Sequence, residues 1–336
     1  MLQNFFAVSF CRWKKEKIMQ LLHQTISKLK GFKEWFDTLN LHESQLVLGL
    51  SGSVKHLAES CAFEKLNKQL VIVTPTLLQA TQTYEELSEW YDDEVVHLFP
   101  VEESLAADFS VVSPDVVSQR IRTLDFLSRG EKGIVIVPLS GIQKLLVPAA
   151  VWKKSSIELA MGSEIESMDA FVEQLVELGY RRENMVATPG EFALRGSIVD
   201  IYPLDQEYPL RLDFFDTEVD SIRAFNAETQ RSMDVINEVR ILPATDLPLQ
   251  KEAVWKAQAK IHALYEKDVK AAQSPERKDQ VKNIQQAIDA QLENAEIPSN
   301  LTYFLECIYP EKTSLLDYVS KDAYLIIDDY ARFIEK

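Results

Sequence analysis

From Gln45 to about Leu146, short apolar runs alternate with segments whose apolar residues recur at helical spacing. "QLVLGL" reads as a buried-type strand, followed by a helix through "KHLAESCAFEKLNK". "LVIVTP" predicts the next strand, and Leu77, Tyr84, Leu87 and Tyr91 mark one face of a helix over "LLQATQTYEELSEWY". "EVVHLF", a helix across "PDVVSQRIRTLDFLSR" and a strand at "GIVIVP" continue the alternation. Strands separated by helices predict parallel βαβ units and a doubly wound sheet.

Near Pro148 the pattern changes. "SSIELAMGSEI" reads as strand and turn, and "MDAFVEQLVELGY" as one amphipathic helix ending at Gly179. The runs "NMVAT", "EFALRG", "SIVDIYP", "YPLRLDFF" and "EVDSIRAF" then predict an antiparallel sheet with a helix on it, punctuated by Pro189, Gly190 and Pro203. From about Pro248 the chain is helical again, through "KEAVWKAQAKIHALYEKDVKAA" and "PERKDQVKNIQQAIDAQLEN", whose mixed lysine and glutamate faces read as solvated surface. "DAYLIIDDYARF" predicts a last buried strand running into acidic residues.

Composition narrows the function classes. A chain of 336 residues can hold two or three domains, and no apolar run reaches the length of a membrane span. The formal net charge is −16, and ten Asp and Glu residues but no Lys or Arg lie between Lys68 and Arg120. Such a surface repels a polyanion and argues against strong non-specific DNA binding. It suits either a basic protein partner or a plain solvated face. Cys11, Cys61 and Cys307 are far apart and form no CxxC pair, which argues against zinc or a disulfide framework and fits a reducing cytosol. His23, His42, His56, His97 and His262 have no ligand spacing. In "MLQNFFAVSFCRWKKEKIM" the apolar part precedes the basic part, the reverse of a secretory signal. Residues 1–18 are therefore expected to be a poorly ordered extension, with Met19 as an alternative start.

"LVLGLSGSVKH" has the outline of a phosphate loop. Gly49, Gly52 and Lys55 are present, but Val54 stands where the second glycine of the pattern belongs and His56 where a serine or threonine would bind magnesium. A β-branched residue resists the turn that brings backbone to phosphate, and a neutral imidazole suits magnesium poorly. Both changes argue against ATP hydrolysis. "YLIIDDYA" has the form of the matching acidic motif, with Asp328 and Asp329 at the end of an apolar strand. The alternatives are a strand-to-helix turn that happens to carry a lysine, and a solvated strand end.

Two degraded motifs around an inserted α+β segment resemble the excision-repair helicase UvrB. The closer resemblance is to the amino-terminal UvrB-homology region of the bacterial transcription-repair coupling factors, the Mfd family. It rests on "TPGEFALRGSIVDIYPLDQEYPLRLDFFDTEVDSIRAFNAETQRS", with support from "GLSGSVK", "SPDVVSQRIRTL" and "SLLDYV". The resemblance implies an α/β fold in which a P-loop-NTPase-like parallel-sheet lobe, similar to UvrB domains 1a and 1b, carries an inserted α+β domain similar to UvrB domain 2. Its expected parts are the 1a-like lobe at 19–149, the domain 2-like segment at 150–234 and the 1b-like segment at 235–336. The aromatic-rich insertion that forms UvrB's DNA-clamping hairpin is missing after "HLFPVEE".

By this resemblance the chain is a non-catalytic, cytoplasmic module that recruits UvrA by mimicking UvrB. It needs no cofactor of its own, since ATP and magnesium belong to a motor further along the parent protein. RNA polymerase and DNA would be contacted by regions outside this chain, and downstream domains would touch it intramolecularly. The implied UvrA-binding residues are Arg182 and Arg195, with Arg181 beside Arg182 and Phe192 on the same strand as Arg195. A third UvrB arginine falls at Ala193. From the residues alone, Arg195 either offers its planar fork to a partner's carboxylates or pairs with a nearby acid such as Glu191. Arg120 and Arg122 read as structural. The competing classes are a residual ATP-dependent translocase lobe and a scaffold that regulates the motor.

Overall fold

The computed structural model describes residues 17–39, 44–102, 113–271, 274–293 and 304–335. Residues 1–16 of the expected extension and most of the segment after "HLFPVEE" lie outside these residues, whereas residues 17 and 18 are helical. In chain order the strands are β1 (Leu70–Thr74), β2 (Val96–Leu98), β3 (Ile134–Pro138), β4 (Ile157–Ala160), β5 (Arg181–Arg182), β6 (Glu191–Arg195), β7 (Ile198–Ile201), β8 (Leu210–Phe215), β9 (Glu218–Phe225), β10 (Ser232–Ile236), β11 (Glu238–Ile241) and β12 (Tyr324–Ile327). The longer helices are α1 (Lys30–Thr38), α2 (Ser53–Leu66), α3 (Leu77–Ser88), α4 (Pro114–Arg129), α5 (Met168–Glu177), α6 (Lys251–Ala271) and α7 (Pro275–Glu293). Two compact units result, one drawn from Met1–Ser110, Arg129–Gln143 and Val319–Lys336, the other from Val111–Ser128 and Lys144–Tyr318.

The first unit is a parallel sheet in the order β12-β1-β3-β2. "LVIVT" and "IVIVP" are buried at every position, the expected state of central parallel strands covered on both faces. Leu70, Ile72, Ile134 and Ile136 pack with Ala80 and Leu87 of α3 and with Val96 and Leu98 of β2. Thr76 starts α3 by accepting a hydrogen bond from the Gln79 amide, satisfying one of the free donors of the first turn. Phe36 of α1 packs with Cys61, Ala62 and Leu66 of α2 in a second cluster. Burial there pushes the Cys61 thiol up to about 12, so it stays protonated and inert.

Two strand expectations for this unit need correction. "QLVLGL" is irregular, with Leu46 73% and Leu48 80% exposed, because among the described residues it pairs with no strand and Gly49 turns the backbone to φ +84°. An apolar run becomes a strand only where a ladder partner takes up its backbone groups. β12 does form, but at the sheet edge, with Leu325 and Ile327 exposed, so it is only half buried.

The second unit holds a six-stranded sheet in the order β10-β9-β8-β7-β6-β5, antiparallel except for the β5–β6 pair. On one face Phe192, Val199, Ile201, Leu212, Phe214 and Ile222 pack against Phe171 and Leu175 of α5 and against Ile157, Leu159 and Ile241 of the β4–β11 pair. The expected strand "NMVAT" is a loop. Its Ala187 and Thr188 amides both donate to the Glu191 carboxylate at 2.9 Å, so side-chain bonding replaces the ladder.

α5 ends as the sequence predicts. The Gly179 amide donates to the Val176 carbonyl and the Tyr180 amide to Leu175, a Schellman closure with Gly179 at φ +88°. A Cβ there would lie 2.9 Å from the Thr245 Cγ2. Gly179→Ala is therefore expected to destabilise the protein by about 2 kcal/mol, from left-handed strain plus crowding. Urea unfolding reads this, and an unchanged midpoint would contradict it.

The two units share the chain differently from the expected division at 19–149, 150–234 and 235–336. Residues 111–128 and 235–318 go with the second unit. The reasons are specific bonds. Ser118 donates to the Leu204 carbonyl, Arg120 pairs with Asp246, β11 pairs with β4, and the Tyr180 hydroxyl donates to the Leu242 carbonyl. Arg122 donates to the Asp205 carbonyl, so both arginines of α4 hold structure, as their sequence context implied. Among the described residues no helix is long and apolar enough to cross a membrane.

Candidate functional site

The phosphate-loop residues come together in the first unit, but with their charges already spent. Gly49 and Gly52 both take positive φ, and a Cβ at either would meet nothing within 4 Å. Gly52 is the N-cap of α2, and no side chain caps that end. Val54 lies in the first helical turn and is exposed. The Lys55 ammonium donates to the Asp328 carboxylate at 2.6 Å, joining α2 to the residue after β12. His56 turns into the interior, where its Nδ1 lies 2.9 Å from the Glu59 carboxylate. Burial raises the pKa of Glu59, although His56 and Lys55 oppose the shift. Asp329, at φ +54°, pairs with Arg332 at 3.0 Å.

These residues do not fit a magnesium nucleotide. The position that would bring a hydroxyl to the metal holds an imidazole bonded inward, and phosphate would have to displace Asp328 from Lys55. We expect no ATP turnover above background, and none altered by Lys55→Ala. Phosphate release that vanished with Lys55→Ala would contradict this.

The second site is the face of the six-stranded sheet opposite α5. Register sets its composition, since residues side by side in neighbouring strands point to the same face. Ala193 stands beside Asp200, Asp200 beside Arg211, and Arg211 beside Arg223. Arg195 is two residues along β6 from Ala193 and so shares this face. Arg181 stands beside Glu191 on the same face, 71% exposed and 4.0 Å from the Glu191 carboxylate. Arg182 stands beside Phe192 instead, on the edge strand, exposed and with no side-chain partner among the described residues.

Asp200 is 0% exposed and is the anchor of this face. Arg211 grips it with two bonds, Nε to Oδ1 at 2.7 Å and Nη2 to Oδ2 at 2.9 Å. The Arg211 guanidinium lies 4.5 Å from the centroid of the Phe225 ring and also reaches the Gln230 carbonyl. Its bonds to Asp200 push its own pKa further up. Arg195 donates to Oδ2 of the same carboxylate, the oxygen that also accepts from Arg211 Nη2, while remaining 47% exposed.

Among the sequence candidates, Arg181 and Arg195 share this face, and the register sets Arg182 on the opposite one. Phe192 is a correction. It is 0% exposed in the core beneath β6, so it supports the strand and presents nothing to a partner. Arg195 pairs with Asp200 and not with Glu191, whose carboxylate is occupied by the 187–188 loop. Asp200 and Arg211 were missed. A lone acid inside the apolar run "IVDI" and a lone arginine in "LRLDFF" were the available signals, since an ion inside a strand needs a partner across the ladder.

The family described as the UvrB interaction domain matches residues 157–247, which hold this sheet, α5 and the β4–β11 pair. The chain is 36% identical to the transcription-repair-coupling factor of Bacillus subtilis (strain 168) over 298 residues, 88% of this chain and 25% of that protein. It is 38% identical to that of Staphylococcus epidermidis (strain RP62A) over 312 residues, 92% of this chain and 26% of that protein. With the factor of Staphylococcus aureus (strain MRSA252) the identity is 36% over 292 residues, 86% and 25% of the two chains. The chain spans about a quarter of the length of these relatives. The chain carries, at 157–247, a helix-backed sheet with an arginine-bearing face that matches the UvrB interaction domain family. It belongs with the transcription-repair-coupling factors, as a counterpart of their amino-terminal region.

Proposed function

We propose that this chain binds UvrA through the open face of β5–β9 and, within a longer coupling factor, brings excision repair to a stalled RNA polymerase. The observation that carries the reading is the placement of Arg181 and Arg195 on one solvent-facing sheet surface inside the segment matched by the UvrB interaction family. Planar guanidinium forks suit an acidic partner surface. The module acts by mimicry, offering UvrA the face that UvrB offers it. The first unit is a nucleotide-binding lobe that has lost its chemistry, its lysine neutralised by Asp328. RNA polymerase, DNA and ATP are engaged by other parts of the parent protein, some of which pack on this chain.

The test is a calorimetric titration of the purified chain into UvrA. Saturable heat at micromolar concentrations supports the reading. No heat at these concentrations, with the chain folded, overturns it.

A further inference from the structure

The open face carries two kinds of arginine. Arg195 is half exposed and available to a partner, whereas Arg211 is mostly covered and committed to Asp200. The two are linked, because Asp200 accepts from both. Arg211 is itself held from two sides, by the Phe225 ring and by the Gln230 carbonyl. Gln230 is fixed in turn by the bonds its amide donates to the Ala227 and Val186 carbonyls. Ala193, beside Asp200 in the ladder, is buried with Val186 and Phe225. A rigid support thus runs from Phe225 through Arg211 and Asp200 to Arg195.

We infer that Asp200 and Arg211 are positioning residues, which fix the Arg195 guanidinium in the orientation that an acidic partner surface takes up. This deepens the proposed UvrA reading and rests on it. A free arginine side chain loses rotamer entropy when it docks, and Arg195 has already lost much of it in the unbound protein. Arg211 touches no partner in this arrangement, yet its loss weakens binding.

A double-mutant cycle tests the inference. Asp200→Asn keeps the shape of the side chain and removes the charge that orients Arg195. It is expected to weaken UvrA binding roughly tenfold in the Arg195 background and less than about twofold in an Arg195→Ala background. Arg211→Lys, which keeps the charge but not the fork, is expected to weaken binding about threefold, again only while Arg195 is present. Equal losses in both backgrounds, or no loss in either, would overturn the inference. Nitrogen-15 relaxation of the Arg195 Nε–H gives a reading that does not depend on UvrA. Arg195 should be ordered in the parent chain and mobile in Asp200→Asn, while buried Val199 and Leu212 keep their amide shifts. If the parent chain fails to bind UvrA, the functional reading falls, and this relaxation experiment alone decides the positioning claim. An Arg195 equally mobile in both proteins ends it.

Discussion

Asp246→Ala should destabilise the second unit by about 3 kcal/mol, the low end of the range for removing one partner from a buried ion pair. Asp246 is buried and accepts from Arg120 at 3.0 Å, with the Lys144 ammonium at 3.5 Å from the same oxygen. Burial alone would raise its pKa, but Lys144 and Arg120 overcome that and hold the carboxyl below the usual range. Removing the carboxylate leaves the buried Arg120 charge without that counter-ion. Lys144 is more exposed and can turn toward water, which is why the low end applies.

The sign of the pH dependence follows from the same shift. An unfolded aspartate titrates near 3.9, and the folded Asp246 below that. Between the two values the unfolded chain binds more protons, so the stabilisation is fully present above about pH 5 and is lost as acid approaches the folded pKa. Hydrogen exchange at the core amides of Val199 and Leu212 reads the stability of this unit without contribution from the other. Asp246→Asn should flatten its decline below pH 4. An Asp246→Ala variant within about 0.5 kcal/mol of the parent would show that the triad contributes nothing net, an outcome known for some buried pairs.

The second large effect is on binding. Replacing Arg181, Arg182 and Arg195 together by alanine should reduce UvrA affinity at least ~100-fold, taking ~2 kcal/mol or more for each interface arginine that acts as a hot spot and allowing for non-additivity. Stability should change little, because Arg181 and Arg195 are substantially exposed and Asp200 keeps the two bonds from Arg211. Of the adjacent pair, Arg181 should account for more of the loss, since the β5–β6 register sets it on the Arg195 face and sets Arg182 on the other. Surface plasmon resonance of the triple and single variants against UvrA measures this. A triple variant that is folded and binds like the parent would place the contact elsewhere.

Much of the fold was readable from local pattern. "LVIVT" and "IVIVP" became strands because apolar, β-branched runs between helices and turn residues have few other ways to be buried, and "EFALR" because Phe192 and Leu194 alternate onto the core face. The helix ahead of Gly179 stopped where the first residue free to adopt positive φ allowed it to. The pattern failed where a side chain or a missing neighbour overrode it. Glu191 drew the Ala187 and Thr188 amides of "NMVAT" out of any ladder, and "QLVLGL" had no strand among the described residues to accept its backbone.

By itself, then, the sequence determined most of the element types and the parallel and antiparallel halves, because each depends on residues a few positions apart. Only the tertiary structure decided how the charges were spent. Lys55 meets Asp328 across 273 positions, Arg120 meets Asp246 across 126, and Asp200 sits between Arg195 and Arg211 because three strands lie in one register. An ion's partner is chosen by which groups are buried beside it, and burial is a property of the folded chain.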